Sequence, residues 1–259
     1  MGTNEIKGEF IIMDGKKELV SRLGGKDAEL FVLMSGCTRA PYVVCDEETF
    51  DDAVMLFFDE TEAKTRADEL KHSNIPVTAL KLENKQMLMF FTNLYTMGVN
   101  ALKICHVGET SLVQLDEIVK RRDKKELPDG SVWVENPELH LTALYFAQEL
   151  RIPTDEDTPR RLAEMQEELI SHFKKARFIF ALQKDGQGTP LVKMKDEEKY
   201  QPVFTDAMEF RRFNHEDKFR PVIVEADKMP KVLDKTARGV ILNIMGVNLP
   251  LTVSRPSEG

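Results

Sequence analysis

Apolar residues in this chain fall into two kinds of stretch. Short runs such as Phe31-Val32-Leu33-Met34 and Phe178-Ile179-Phe180-Ala181 are apolar at consecutive positions, as expected of strands covered on both faces. Longer stretches repeat their apolar residues at helical spacing. In the first half the pattern predicts strands near 30–34, 41–45 and 54–58, a helix near 60–71, a strand near 77–82, a helix near 84–97 and a strand near 99–105. In the second half it predicts strands near 177–182, 190–194 and 201–205, then a helix near 206–213, a strand near 221–225 and a helix near 228–238. Strands near 240–244 and 248–253 complete that half.

The two series follow one plan. Pro41-Tyr42-Val43-Val44 answers Pro190-Leu191-Val192, Phe57-Phe58-Asp59 answers Phe204-Thr205-Asp206, and Pro76-Val77 answers Pro221-Val222. An internal duplication settles architecture before any other feature does. Identical Met97-Gly98-Val99-Asn100 and Met245-Gly246-Val247-Asn248 are not matched to each other. Gly98 is paired instead with Gly239, each following a predicted helix where a left-handed C-cap favours glycine.

The expected fold class is α/β (α+β), with two tandem sheet-and-helix modules joined by a helical connector. Residues 1–27 form an N-terminal segment of mixed character. The first, more divergent module spans 28–105, the connector 106–175 and the second module 176–259. Within the connector, Ser111 to Gln114 fits a capping box ahead of Leu115, Ile118 and Val119. Asn136-Pro137 and Thr158-Pro159 start two further amphipathic helices.

Two modules raise the question of what lies on their surfaces. The long helix of the first module is apolar over a wider arc than one sheet needs. Its surplus residues Phe90 and Met97 are expected to be covered by the connector helices or by another chain. In the second module Lys228, Lys231, Lys235 and Arg238 lie opposite the apolar stripe of the helix near 228–238. They suggest a surface for an acidic partner, against a solvated face as the plainer reading.

Candidate chemistry is sparse. Asp59-x-x-Glu62 and Asp206-x-x-Glu209 are repeated carboxylate pairs, read as helix caps rather than as an acid and a base. In each pair the aspartate accepts first-turn amides and the glutamate reaches back. Glu168 and His172 have a spacing that can support a metal, but no third ligand is visible. Gly24-Gly25-Lys26-Asp27 lacks the earlier glycine and the Ser/Thr of a phosphate loop. No GxSxG elbow is present. No catalytic residue, cofactor or metal is assigned.

Composition narrows the class further. The 259 residues carry 44 acidic and 36 basic side chains, a net charge of −8, which disfavours nucleic acid as a partner. The first module is acidic and the second weakly basic. No apolar run is long enough to span a bilayer, and the N-terminus does not read as a signal peptide. A cytoplasmic protein without membrane contact is expected.

The second module resembles the N-terminal domain of the SseB family, the enhanced serine sensitivity proteins. The resemblance is carried by Pro190-Leu191-Val192, Phe204-Thr205-Asp206 and Gly239-Val240-Ile241-Leu242-Asn243. The family's Ile-Asn-Pro ending is incomplete here, because Ile244 follows Asn243. The first module matches more weakly, with Lys103 where the asparagine would stand. The resemblance implies an α/β domain with no established catalytic apparatus. The expected role is therefore non-enzymatic binding of another protein, or self-association. The alternative is a small-ligand sensor binding between the modules, and an unrecognised hydrolase stands third.

Cys37, Cys45 and Cys105 are an odd number without CxxC spacing, as for reduced structural thiols. Thiol titration in denaturant is expected to find all three reactive without prior reduction. Finding a single reactive thiol would overturn that reading.

Overall fold

A computed structural model describes residues 17–23, 25, 28–121, 132–184, 186, 188–194 and 197–255. It divides into two compact units. The first comprises residues up to 122, apart from 37–40 and 96–98, which group with the second. Among Gly24 to Asp27 only Gly25 is described, so the glycine-lysine motif lies outside the described residues.

The first unit opens with helix α1 (17–23). There follow β1 (Leu30–Ser35), β2 (Val43–Cys45), β3 (Asp52–Phe57), α2 (Glu60–His72) and β4 (Val77–Leu82). A 3-10 turn leads into α3 (Met87–Thr96), and β5 (Ala101–His106) and β6 (Glu109–Gln114) complete the unit. The sheet runs β4-β1-β3-β5-β6, with β2 on β3. Among the described strands only β3 and β5 are parallel. Side-chain alternation puts Phe31, Leu33, Met55 and Phe57 on the face that α2 covers with Ala63 and Ala67. Leu30, Val32, Val54, Leu56, Leu102 and Ile104 are buried on the opposite face.

The second unit repeats this order. After α4 (Pro137–Leu150) and α5 (Thr158–Lys175) come β7 (Arg177–Gln183), β8 (Val192–Lys193), β9 (Lys199–Phe204) and α6 (Ala207–Phe213). Then β10 (Phe219–Glu225), α7 (Met229–Val232), β11 (Gly239–Leu242) and β12 (Leu249–Thr252) close it. The sheet is β10-β7-β9-β11-β12, with β8 on β9, and β9 and β11 are the parallel pair. The structure is thus α/β, with two similar modules, each built on a six-stranded mixed sheet.

Three sequence expectations change. Residues 109–114 form a strand and not the start of a connector helix, because β5 takes them as its antiparallel neighbour. A capping interaction does form, but three residues later, where Glu117 accepts the Gln114 amide at 3.1 Å. The helix near 228–238 is reduced to a 3-10 turn and the single turn of α7. Its end is set by Asp234, whose carboxylate takes the Thr236 amide at 2.8 Å and hydroxyl at 2.7 Å, an Asx turn that competes with helix.

The third change concerns register. Phe57 pairs with Cys105 in the first sheet, and Val203 pairs with Leu242 in the second, so Cys105 and not Lys103 occupies the place of Asn243. Gly98 and Gly239 are therefore not counterparts, and Pro221, which pairs with Ala181 as Ala79 pairs with Leu33, answers Ala79 and not Pro76. Gly98, at φ +83°, ends α3, and a Cβ there would come within 2.6 Å of the Pro137 carbonyl. Gly239 is extended at the start of β11, where a Cβ would lie 2.0 Å from the Leu251 carbonyl. The two MGVN tetrapeptides precede β5 in one unit and β12 in the other, so they are not structural equivalents.

Gly239→Ala is expected to lower stability by several times the roughly 0.5–1 kcal/mol that alanine ordinarily gains over glycine in regular structure. The obstruction is backbone, so β11 and β12 must separate. A melting temperature equal to that of the parent would refute this.

Candidate functional site

The repeated carboxylate pairs occupy helix starts. Asp59 precedes α2 and accepts the Glu62 amide at 2.9 Å. Asp206 precedes α6 and accepts the amides of Met208 at 2.8 Å and Glu209 at 3.0 Å. The glutamates engage other partners. Glu62 Oε1 accepts the Gly108 amide at 3.2 Å, and Glu209 Oε1 pairs with Arg212 at 2.6 Å.

The two aspartates differ in surroundings. Asp59 is exposed, whereas Asp206 is 1% exposed and lies against His140 of α4, which is 2% exposed. His140 Nδ1 is 3.5 Å from Asp206 Oδ2 and 3.3 Å from the Thr205 hydroxyl. That hydroxyl donates to Asp206 at 2.7 Å and accepts from Asn243 Nδ2 at 2.8 Å. Burial opposes charge on both groups, but their mutual hydrogen bond and attraction prevail. His140 is raised and Asp206 lowered from their ordinary values. Acid, histidine and hydroxyl meet here as in a nucleophilic triad, but all are sealed from solvent. The first unit has no counterpart, because Phe58 stands for Thr205 and Cys105 for Asn243. Nothing in the spacing of His140 signalled this contact.

Other sequence candidates are dispersed. Asn136 does not cap α4 with its side chain; it donates to the carbonyls of Arg177 and Thr205, both at 2.7 Å. His172 lies 3.1 Å from the Thr142 hydroxyl. Among the described residues no group of three His, Cys, Asp or Glu could hold a metal ion. The proposed basic face loses its helix beyond Val232. Lys228 pairs with Glu225, and Arg238 pairs with Glu198 at 3.2 Å, while Lys231 and Lys235 are exposed. Met97 is buried and grouped with the unit that holds α4. Phe90 is half-buried edge-on to Phe91. The exposed apolar residues of α3 are Leu88 and Met89.

A site that the sequence reading missed lies in the first unit. Helix α2 packs on β4, β1 and β3, and beyond β3 the same face opens into a cleft of about 540 Å³. Its floor is Met55, Phe57 and Cys105, and its rim carries Asp59, Glu62, Glu69 and Glu109 against Arg66. Arg66 is itself paired with Glu69 at 2.8 Å. Glu62 Oε2 is shielded from water and has no hydrogen-bond partner among the described residues. A second hollow of about 440 Å³ shares Met55 and Arg66, and there Lys103 pairs with Asp46 at 2.9 Å. That ion pair, reinforced by the Thr49 amide, holds the Asp46 carboxyl below its ordinary range. In the second unit the corresponding face packs Val134 against Ile179, Ala181, Phe204 and Phe210.

No family model and no curated protein matches this chain. Among solved structures, Tic22 from Plasmodium falciparum is similar at 12% identity and a TM-score of 0.23, over 82% of this chain and 84% of that one. Anabaena Tic22, titled protein transport, is similar at 9% identity and a TM-score of 0.22, over 82% and 83%. Likenesses of this order bear on neither fold nor role.

Asp59→Ala is expected to cost about 1 kcal/mol, the usual loss of an exposed cap. Asp206→Ala is expected to cost about 3–5 kcal/mol, because it also strands a buried histidine. Equal costs in urea melts would refute the distinction. The pair also sets a pH window. Asp206, depressed on folding, stabilises above about pH 4 and loses that contribution as pH falls. His140, raised on folding, stabilises below about pH 6.5 and loses its contribution as pH climbs through the folded value. Stability should therefore peak between these limits, and the decline above about pH 6.5 should vanish in His140→Gln.

Proposed function

We propose that this chain is a non-enzymatic protein-binding module whose recognition surface is the cleft of the first unit. The observation that carries the reading is the acidic-rimmed cleft beside α2, on the β5–β6 side of the first sheet. Its rim carries Asp59, Glu62, Glu69 and Glu109 over a floor of Met55, Phe57 and Cys105, whereas in the second unit Val134 packs into the corresponding apolar cluster. An apolar floor with a polar rim is the general anatomy of a protein interface. The rim residues Thr61, Thr65, Glu69 and Glu109 are exposed, so the cleft lies open along its length instead of enclosing a small molecule. The sealed state of the His140 cluster supports a non-enzymatic role, as does the resemblance to a family without catalytic apparatus. Among the described residues no helix is long and apolar enough to cross a membrane.

Thr65 lines the cleft from the exposed side of α2, so Thr65→Trp fills it without touching the core. In affinity capture at native expression, the wild-type chain is expected to recover a partner that Thr65→Trp loses, with the two melting at the same temperature. Equal recovery by both would refute the assignment.

A further inference from the structure

We infer that β6 is an open strand edge that takes up an extended segment of a partner protein, in which apolar residues alternate with lysine or arginine. This rests on the cleft being a protein-binding surface, and it specifies how and what that surface binds.

Each sheet ends in two edge strands, β4 and β6 in one and β10 and β12 in the other. Ladder register fixes which of their backbone groups point outward. The Leu115 amide donates to the Asn100 carbonyl at 2.8 Å. Antiparallel bonding alternates, so Val113, Ser111 and Glu109 bond inward to β5, while Thr110 and Leu112 turn N–H and C=O to the side where no described strand lies. The Gln114 amide also points outward, but Glu117 takes it.

The second unit shows the same edge closed. The Val253 amide donates to the Arg238 carbonyl at 3.4 Å, which places Pro250 and Thr252 at the outward positions of β12. Lys103 pairs with Met55 and Leu112, and its counterpart Ile241 pairs with Pro202 and Pro250. Leu112 and Pro250 are therefore equivalent, and proline offers no N–H to an incoming strand. On β10 an outward position is held by Pro221, which pairs with Ala181. On β4 an outward position carries Lys81, ion-paired to Glu29. Proline and lysine are the usual guards of an exposed edge. At its outward positions β6 has neither.

What would add to it follows from the neighbouring charge. The cleft beside β6 is lined by Asp59, Glu62, Glu69 and Glu109, and Asp59, Glu69 and Glu109 are exposed. Among the described residues that line it the one cation is Arg66, which is paired with Glu69. A strand added about 4.8 Å beyond β6 directs alternate side chains to the α2 face, where lysine or arginine reaches these carboxylates.

The test uses the full chain and a fluorescein-labelled peptide of alternating valine and lysine, about ten residues long, followed by anisotropy. Saturable binding is expected. N-methylating alternate backbone amides of the peptide should weaken it by about ten-fold or more, the order expected for losing one or two backbone hydrogen bonds. Leu112→Pro should weaken binding of the unmodified peptide by a similar factor. That variant removes no ladder bond, and the methylated probe is decisive on unaltered protein whatever the variant does. Equal binding of the methylated and unmodified peptides overturns strand addition, as does no binding of the unmodified one. Either result leaves the cleft assignment to the capture experiment, because Thr65→Trp blocks the cleft and not the edge. Methylation-sensitive binding that is indifferent to Thr65→Trp, with undiminished capture, removes the cleft assignment and leaves the edge.

Discussion

Each sheet of this protein is apolar on both faces, so each must be covered twice. That constraint organises the rest. Phe31, Leu33, Met55 and Phe57 project to one side of the first sheet while Leu30, Val32, Val54 and Leu56 are buried on the other. A strand of this kind in an α/β unit requires a helix or a returning segment on each face. The parallel pairs β3–β5 and β9–β11 enforce it topologically, because a parallel neighbour is reached only by crossing over the sheet.

The two copies meet the constraint unequally. In the second, Val134 joins the cluster around Phe204 and Phe210, and Ile244 packs against it. In the first, α2 reaches across β4, β1 and β3, and the β5–β6 side of that face is left with a cleft. The two modules differ in their edges too. The second sheet places a proline at an outward position of each outer strand, and the first has Ala79 and Leu112 in those places. One copy has become a packed, edge-guarded structural half. The other has a cleft beside an edge strand whose outward positions hold no proline.

Burial of polar groups follows the same division. The second unit holds an ion pair, a threonine and an asparagine in its interior, joined so that each finds a partner. The first fills the equivalent places with Phe58 and Cys105, and Phe58 packs edge-on to His106. A buried charge pair is costly to desolvate and tolerates the loss of neither partner. It ties the turn before α6 to α4, a contact that hydrophobic packing alone would not specify.

The chain by itself determined what depends on local order. Consecutive apolar residues marked β1 and β7, the aspartates at 59 and 206 marked helix starts, and repeated motifs marked two modules of one plan. It did not determine what depends on long-range pairing. Ser111-Leu112-Val113-Gln114 has a helix-start signal locally and became a strand because β5 needed a neighbour. The stripe of 228–238 has helical spacing, but Asp234 turned the chain after one helical turn. Cys105, not Lys103, answers Asn243, because only the parallel ladder fixes that register. The partnership of His140 with Asp206 spans 66 positions and leaves no periodic trace. The cleft is a hollow between packed elements, and a hollow has no pattern of its own in a sequence. Only the packed structure shows which faces were left over.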